Sequence, residues 1–293
     1  MPDDLSRRIA YIVWSAAKYL SGSTSKEIPY EVVYSLRNAL SDWISGNCVI
    51  TTALLEDQNY YFDAADPGDA IKILVDPSFD VELIQIALPK LYKHRPLYNV
   101  ALYHELGHFL DNHFGIAKYT LLTDPLPPTA DGQKQFIHRK EYFADLLAAS
   151  YTGGGIHRFL SNIAGGHPES DSHPATDDRL ANIDDFLSGA SNDKITLFQD
   201  ALRALKLPKL EIRFEKPEIA SAINNIRPYE IKNSKELHGI LDAGWEILDS
   251  AQKRADPPWS MMDEFEPDRV VNDLIEKSIR NWMVKEKWAY GTT

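Results

Sequence analysis

Tyr103-His104-Glu105-Leu106-Gly107-His108 sets two histidines four residues apart with a glutamate beside the first. The surrounding apolar residues Leu102, Leu106, Phe109 and Leu110 recur at helical spacing. Residues four apart on a helix share a face, so both imidazoles can reach one Zn²⁺ while Glu105 projects toward a water beside it. Zinc acidifies such a water and polarises a carbonyl, and an adjacent carboxylate can take the proton as general base. The segment predicts a helix from Pro96 to Phe114, with Pro96 near the first helical position and Gly115 just past the end. The competing reading is a solvent-facing stripe of polar residues, with Leu102, Leu106, Phe109 and Leu110 on the buried side, and the residues downstream bear on which of the two holds.

A catalytic zinc takes three protein ligands and keeps a fourth position open. Glu141, in His138-Arg139-Lys140-Glu141-Tyr142-Phe143-Ala144-Asp145, lies on a second expected helix, from about Gln133 to Tyr151, and can complete the site from across a cleft. Asp145, one turn later on the same face, can accept the free ring N–H of a ligand histidine and fix its tautomer. Read blandly, the two acids are an exposed pair among basic neighbours. His113 falls one place short of the third-histidine position of the metzincin pattern, where Phe114 stands, and that arrangement is rejected.

The third block is Ser172-His173-Pro174-Ala175-Thr176-Asp177-Asp178-Arg179-Leu180. His-Glu-x-x-His, then Glu-x-x-x-Asp, then His-Pro-x-x-x-x-Arg, in that order, resembles the gluzincin metallopeptidases of the HtpX and CAAX prenyl protease type. It is also similar to the soluble phage-exclusion peptidases of the Lit type. The resemblance is confined to these blocks. It implies His104, His108 and Glu141 as zinc ligands, Glu105 as general base and Asp145 as the partner of a ligand histidine. It further implies that His173 stabilises an oxyanion, with Arg179 orienting it or sharing that charge. His167-Pro168 is out of register, because His173 rather than arginine stands at the required offset. Without the resemblance, His173 reads as a loop histidine ahead of a helix opened by Pro174.

The rest of the chain frames this core. Apolar residues from Ile9 to Leu20 predict a first helix, closed by the polar run Ser21 to Ser25. Val33, Leu36, Leu40, Trp43 and Ile44 predict a second, stopped by Gly46-Asn47. Val49–Thr52, Tyr60–Phe62 and Ile71–Val75 predict a small sheet of three strands. The last of these would serve as an edge along which an extended peptide is held by main-chain hydrogen bonds, or as an ordinary core strand. Gly153-Gly154-Gly155 reads as a helix stop. Beyond Gly189 the pattern is mainly helical, with one expected strand at Leu210–Phe214. The expected fold is α+β: a mainly helical zincin-like core with a small β-sheet over residues 1–190, and a helical C-terminal extension over 191–293.

Composition narrows the function. With 44% hydrophobic and 25% charged residues over 293 positions, the chain can bury a sizeable core. The 31 basic and 43 acidic side chains give a net charge of -12, which disfavours nucleic acid and anionic membrane surfaces as partners. No apolar run is long enough to span a bilayer, which puts a membrane-embedded substrate in doubt. Cys48 is alone, so any metal must be held by His, Asp or Glu. The resulting expectation is a cytoplasmic zinc-dependent endopeptidase with one Zn²⁺ per chain, acting on a protein or peptide substrate. The Lit-type resemblance adds a narrowly specific, normally silent protease of phage defence, awaiting an activating partner. The alternative is a non-catalytic, metal-stabilised protein-interaction module.

Overall fold

The computed structural model describes residues 30–55, 60–63, 67–74 and 76–290, with residues 6, 7, 10, 13 and 14 of the N-terminal segment. The helix expected over Ile9–Leu20 lies outside the described residues apart from residues 10, 13 and 14, and the Ser21–Ser25 breaker lies wholly outside them.

The first full element is α1 (Tyr30–Ser41), which buries Leu36, Ala39 and Leu40 along one face. It ends before Trp43, whose ring still packs into the core from the following turn. Strands β1 (Cys48–Leu55) and β2 (Tyr61–Asp63) come next, then α2 (Pro67–Leu74) and β3 (Glu82–Pro89). The sheet order is β1-β3-β2, with β1 parallel to β3 in the register Cys48↔Glu82, and β2 antiparallel to β3 with Tyr61↔Ala87. Every residue of β3 from Ile84 to Pro89 is buried, as befits a central strand covered on both faces.

Two strand expectations are corrected. Ile71–Val75 is not a strand: Ile71 to Leu74 form the end of α2, and Val75 lies outside the described residues. A short apolar run does not distinguish helix from strand by itself, and Pro67 at the first helical position settles the matter in favour of helix. Ile73 is accordingly turned outward, 78% exposed, while Ile71 is half-buried. The third strand is β3 instead, and because it is paired on both sides it offers no edge to a peptide. Leu210–Phe214 forms no strand either. It is tied across two helix ends, the Arg213 N–H donating to Ser150 O at 2.7 Å and the Glu215 N–H to Lys235 O at 3.1 Å.

A 3-10 turn at Tyr98–Val100 leads into α3 (Ala101–Phe114), which starts later than its sequence pattern suggests. Gly115 closes it at φ +66°, a left-handed position that costs glycine nothing. After α4 (Ile116–Thr120), Thr129 caps α5 (Ala130–Thr152) by accepting from Gly132 N. Gly153, at φ +55°, ends α5 as expected, its N–H donating to Ala149 O, and at once opens the next helix, because Gly154 and Gly155 already belong to α6 (Gly154–Ala164). There follow α7 (Thr176–Ser188), α8 (Asp193–Ala204), α9 (Ala220–Asn224), α10 (Ser234–Ala251) and α11 (Glu266–Tyr290). The architecture is α+β and mainly helical.

The core is organised around α3 against α5. A Cβ on Gly107 would lie 2.6 Å from Ala144 Cα, so glycine lets the two backbones touch. Leu102, Leu106 and Leu110 of α3 and Phe143, Leu146 and Leu147 of α5 are fully buried around that crossing. Helices beyond residue 190 join the same apolar cluster: Phe198 of α8 packs on Phe143, and Trp245 of α10 donates from Nε1 to Leu97 O at 2.9 Å. Among the described residues no helix is long and apolar enough to cross a membrane.

Candidate metal centre

On α3 the rings of His104 and His108 share a face, set perpendicular with centroids 4.5 Å apart and their Nε2 atoms 2.9 Å apart. Across the Gly107–Ala144 contact, α5 brings Glu141 to them, Oε1 at 3.3 Å from His108 Nε2 and Oε2 at 3.4 Å from His104 Nε2. One ligand atom from each of the three lies within 4.8 Å of the others, so His104, His108 and Glu141 could hold a metal ion.

Asp145, one turn after Glu141 and fully buried, accepts from His104 Nδ1 at 2.9 Å. That bond leaves His104 Nε2 directed toward His108 and Glu141, which is the tautomer a ligand imidazole needs. Arg179 of α7 closes the set, donating from Nε to Asp145 Oδ2 and from Nη2 to Asp145 Oδ1, both at 2.7 Å. The resemblance implies that Arg179 orients His173 or shares an oxyanion's charge; in the structure its guanidinium pairs with Asp145, with Nη2 3.8 Å from Glu141 Oε2. His173 stands at the rim, about half exposed, with Nε2 3.6 Å from Glu141 Oε2. Glu105 is buried to 9% exposure, yet its carboxylate makes no hydrogen bond or ion pair with the described residues. His113 is elsewhere, its Nδ1 on Glu82 Oε1 at 2.9 Å.

Electrostatics show what the centre is built to hold. Burial by itself pushes the His104 imidazole down, but the hydrogen bond to Asp145 and the nearby carboxylates of Asp145 and Glu141 outweigh it and lift the group to about 10. Burial pushes Glu141 up, and the two histidines outweigh that, holding it well below the usual carboxylate range. Asp145 is likewise driven up by burial and brought below its ordinary value by Arg179 first and His104 second. Burial lowers His173, with Arg179 and the two site histidines adding to the effect against Glu141.

The surroundings of the His104 imidazole therefore favour positive charge there. Glu141 Oε2 is completely buried and makes no hydrogen bond among the described residues, with His104 Nε2 at 3.4 Å and Arg179 Nη2 at 3.8 Å as its cationic neighbours, and an unbonded buried carboxylate oxygen is rare. Two imidazole nitrogens and one carboxylate oxygen form a donor set suited to zinc, and a divalent ion in their midst would satisfy that orphan oxygen. The residues fit the group.

Against known proteins, the chain matches no family model, no curated protein and no solved structure. The centre is therefore read from its own geometry.

The sequence reading passed over two residues that shape this region. Gly107 sets the distance between the helices that carry the ligands, and nothing in the motif distinguishes it from any other intervening residue. His138 lies three positions before Glu141 and so on the same side of α5. Its helical spacing to Glu141 and Asp145 was the available signal.

Proposed function

We propose that the chain is a zinc-dependent endopeptidase whose metal is held by His104, His108 and Glu141. The observation that carries this reading is the Glu141 carboxylate set against both imidazoles, Oε1 toward His108 Nε2 and Oε2 toward His104 Nε2, with Oε2 buried and making no hydrogen bond among the described residues. When bound, zinc supplies Lewis acidity, making a water acidic near neutral pH and polarising a peptide carbonyl. Glu105, next to a ligand and making no hydrogen bond or ion pair with the described residues, takes the proton of the attacking water and later returns it to the leaving amine. His173 donates a hydrogen bond from the rim to the oxygen that gains charge. Asp145 holds the Nδ1 proton of His104, and Arg179 holds Asp145.

The interaction-module alternative calls for a metal closed off by four protein ligands. Three potential ligands converge among the described residues, which supports the catalytic reading. The Lit-type resemblance extends the proposal to a narrowly specific cytoplasmic protease of phage defence that waits for an activating partner.

The test is elemental analysis of wild type, His108→Ala and Glu105→Gln, with a proteomic cleavage screen of all three. One equivalent of zinc in wild type and Glu105→Gln, none in His108→Ala, and cleavage by wild type alone is the expected pattern. Equal zinc, or none, in all three overturns the reading.

A further inference from the structure

One stripe of α5 meets one stretch of chain at three points. Residues 138, 141 and 145 are spaced three and four apart, so they lie along one side of the helix. Facing them is the segment that runs from Ser170 to Arg179. At its far end Arg179 grips Asp145, and in its middle His173 approaches Glu141. At its near end the buried His138 donates from Nε2 to Ser170 O at 2.8 Å.

Ser170 is also the residue that folds the loop back onto His173. The Ser170 N–H donates to His173 O at 2.9 Å, and the His173 N–H donates to Ser170 Oγ at 3.0 Å. Ser172 Oγ then meets His173 Nδ1 at 2.8 Å, which reserves Nε2 for the site. The base of the loop is fixed separately, by Thr176 N–H on His167 O and Thr176 Oγ on Ala164 O. Of the two contacts His138 makes to the loop tip, the one to Ser170 is a short hydrogen bond. The other is the 3.4 Å approach of Nδ1 to Glu169 Oε1, a carboxylate that Lys134 Nζ also reaches at 3.3 Å.

We propose that His138 is a positioning residue: by fixing Ser170 it sets His173 over the centre, with Nε2 toward Glu141. This rests on the metal reading above and concerns a residue outside all three motif blocks. The role asks of His138 only a donor at the reach of Nε2, which a glutamine amide supplies and an alanine or asparagine does not.

The experiment loads the full chain with cobalt(II) and follows the His173 ring signals by NMR, assigned by their loss in His173→Ala. In wild type those signals carry a paramagnetic shift. His138→Ala is expected to bind one equivalent of cobalt while the His173 shift moves or vanishes, and His138→Gln to restore it. If His138→Ala does not fold, His138→Gln is compared with His138→Asn: a native shift in the first alone supports the role, and equal shifts overturn it. An unchanged His173 shift in folded, cobalt-loaded His138→Ala also overturns it. Failure of wild type to bind cobalt would sink the metal reading, and this inference with it, by a different signal.

Discussion

Arg179 and Asp145 form a two-pronged ion pair inside the protein, both contacts at 2.7 Å, and Asp145 uses the same Oδ1 to receive His104 Nδ1. Removing one member of such a pair strands the other charge, at about 3–5 kcal/mol. Arg179→Met should lose that much stability in urea unfolding with chelator present. It should also weaken zinc about 10–100-fold in a competition titration, because the partner of a ligand histidine is no longer held. Arg179→Lys, which cannot fork, should fall between. Wild-type stability and affinity in Arg179→Met would show that Asp145 needs no support.

Zinc affinity should depend on pH well above the range of an ordinary histidine. Metal-free His104 keeps its proton up to about 10, and a metal must displace that proton. One proton released per ion makes affinity climb about tenfold per pH unit, so roughly 30-fold between pH 7 and 8.5. A histidine titrating near 6.5 would give a flat profile over that interval. Isothermal titration in two buffers of different ionisation heat would count the proton directly.

Gly107→Ala should destabilise the protein although alanine is the better helix former. The propensity gain is about 1 kcal/mol, whereas a Cβ 2.6 Å from Ala144 Cα meets backbone that cannot swing aside. Overpacking of this kind costs about 1–3 kcal/mol, and here it also parts the helix bearing the histidines from the helix bearing Glu141. Lower stability together with weaker zinc binding is the expected outcome. A more stable Gly107→Ala would mean that the two helices adjust freely.

His238 should make folding sensitive to acid. It is buried on α10, with Nδ1 on the Tyr103 hydroxyl at 3.0 Å and Nε2 on Asn38 Oδ1 at 2.9 Å, and burial pushes it down to about 3. Below its ordinary value of 6.5 the unfolded chain takes up a proton that the folded chain refuses. Stability therefore falls as pH drops from 6.5 toward 3 and is flat above. At pH 5 the loss is about 2 kcal/mol. Urea unfolding at pH 7 and pH 5 should show wild type losing that much more than His238→Gln. Parallel losses would assign the acid sensitivity to other groups.

What the sequence could disclose follows from what each signal depends on. Helical spacing is local, so His104, His108, Glu141 and Asp145 could be placed on faces from their intervals alone. Partnership is not local. That Arg179 would bind Asp145 rather than accompany His173 depends on how α7 leaves the Ser170 loop. That Gly107 matters depends on what α5 sets against it. The sheet was legible in its first two strands, where β-branched and aromatic residues cluster between turn signals. It was misread at Ile71–Val75, where five residues satisfy both periods, while Glu82–Pro89 passed unnoticed although it is the strand that both others pair with.

The stripe formed by His138, Glu141 and Asp145 makes this part of the molecule intolerant of counting errors. Deleting one residue between 138 and 145 would turn what lies on one side of the gap by about 100° relative to the other and draw it in by 1.5 Å. Ligand, histidine partner and loop anchor could then no longer look the same way at once. The connection from Leu121 to Pro128 supplies none of these three, and what ties it to α5 is Arg139, which donates to Asp124 O at 2.8 Å. Change in this chain is thus constrained by frame inside α5 and by that grip on the connection before it.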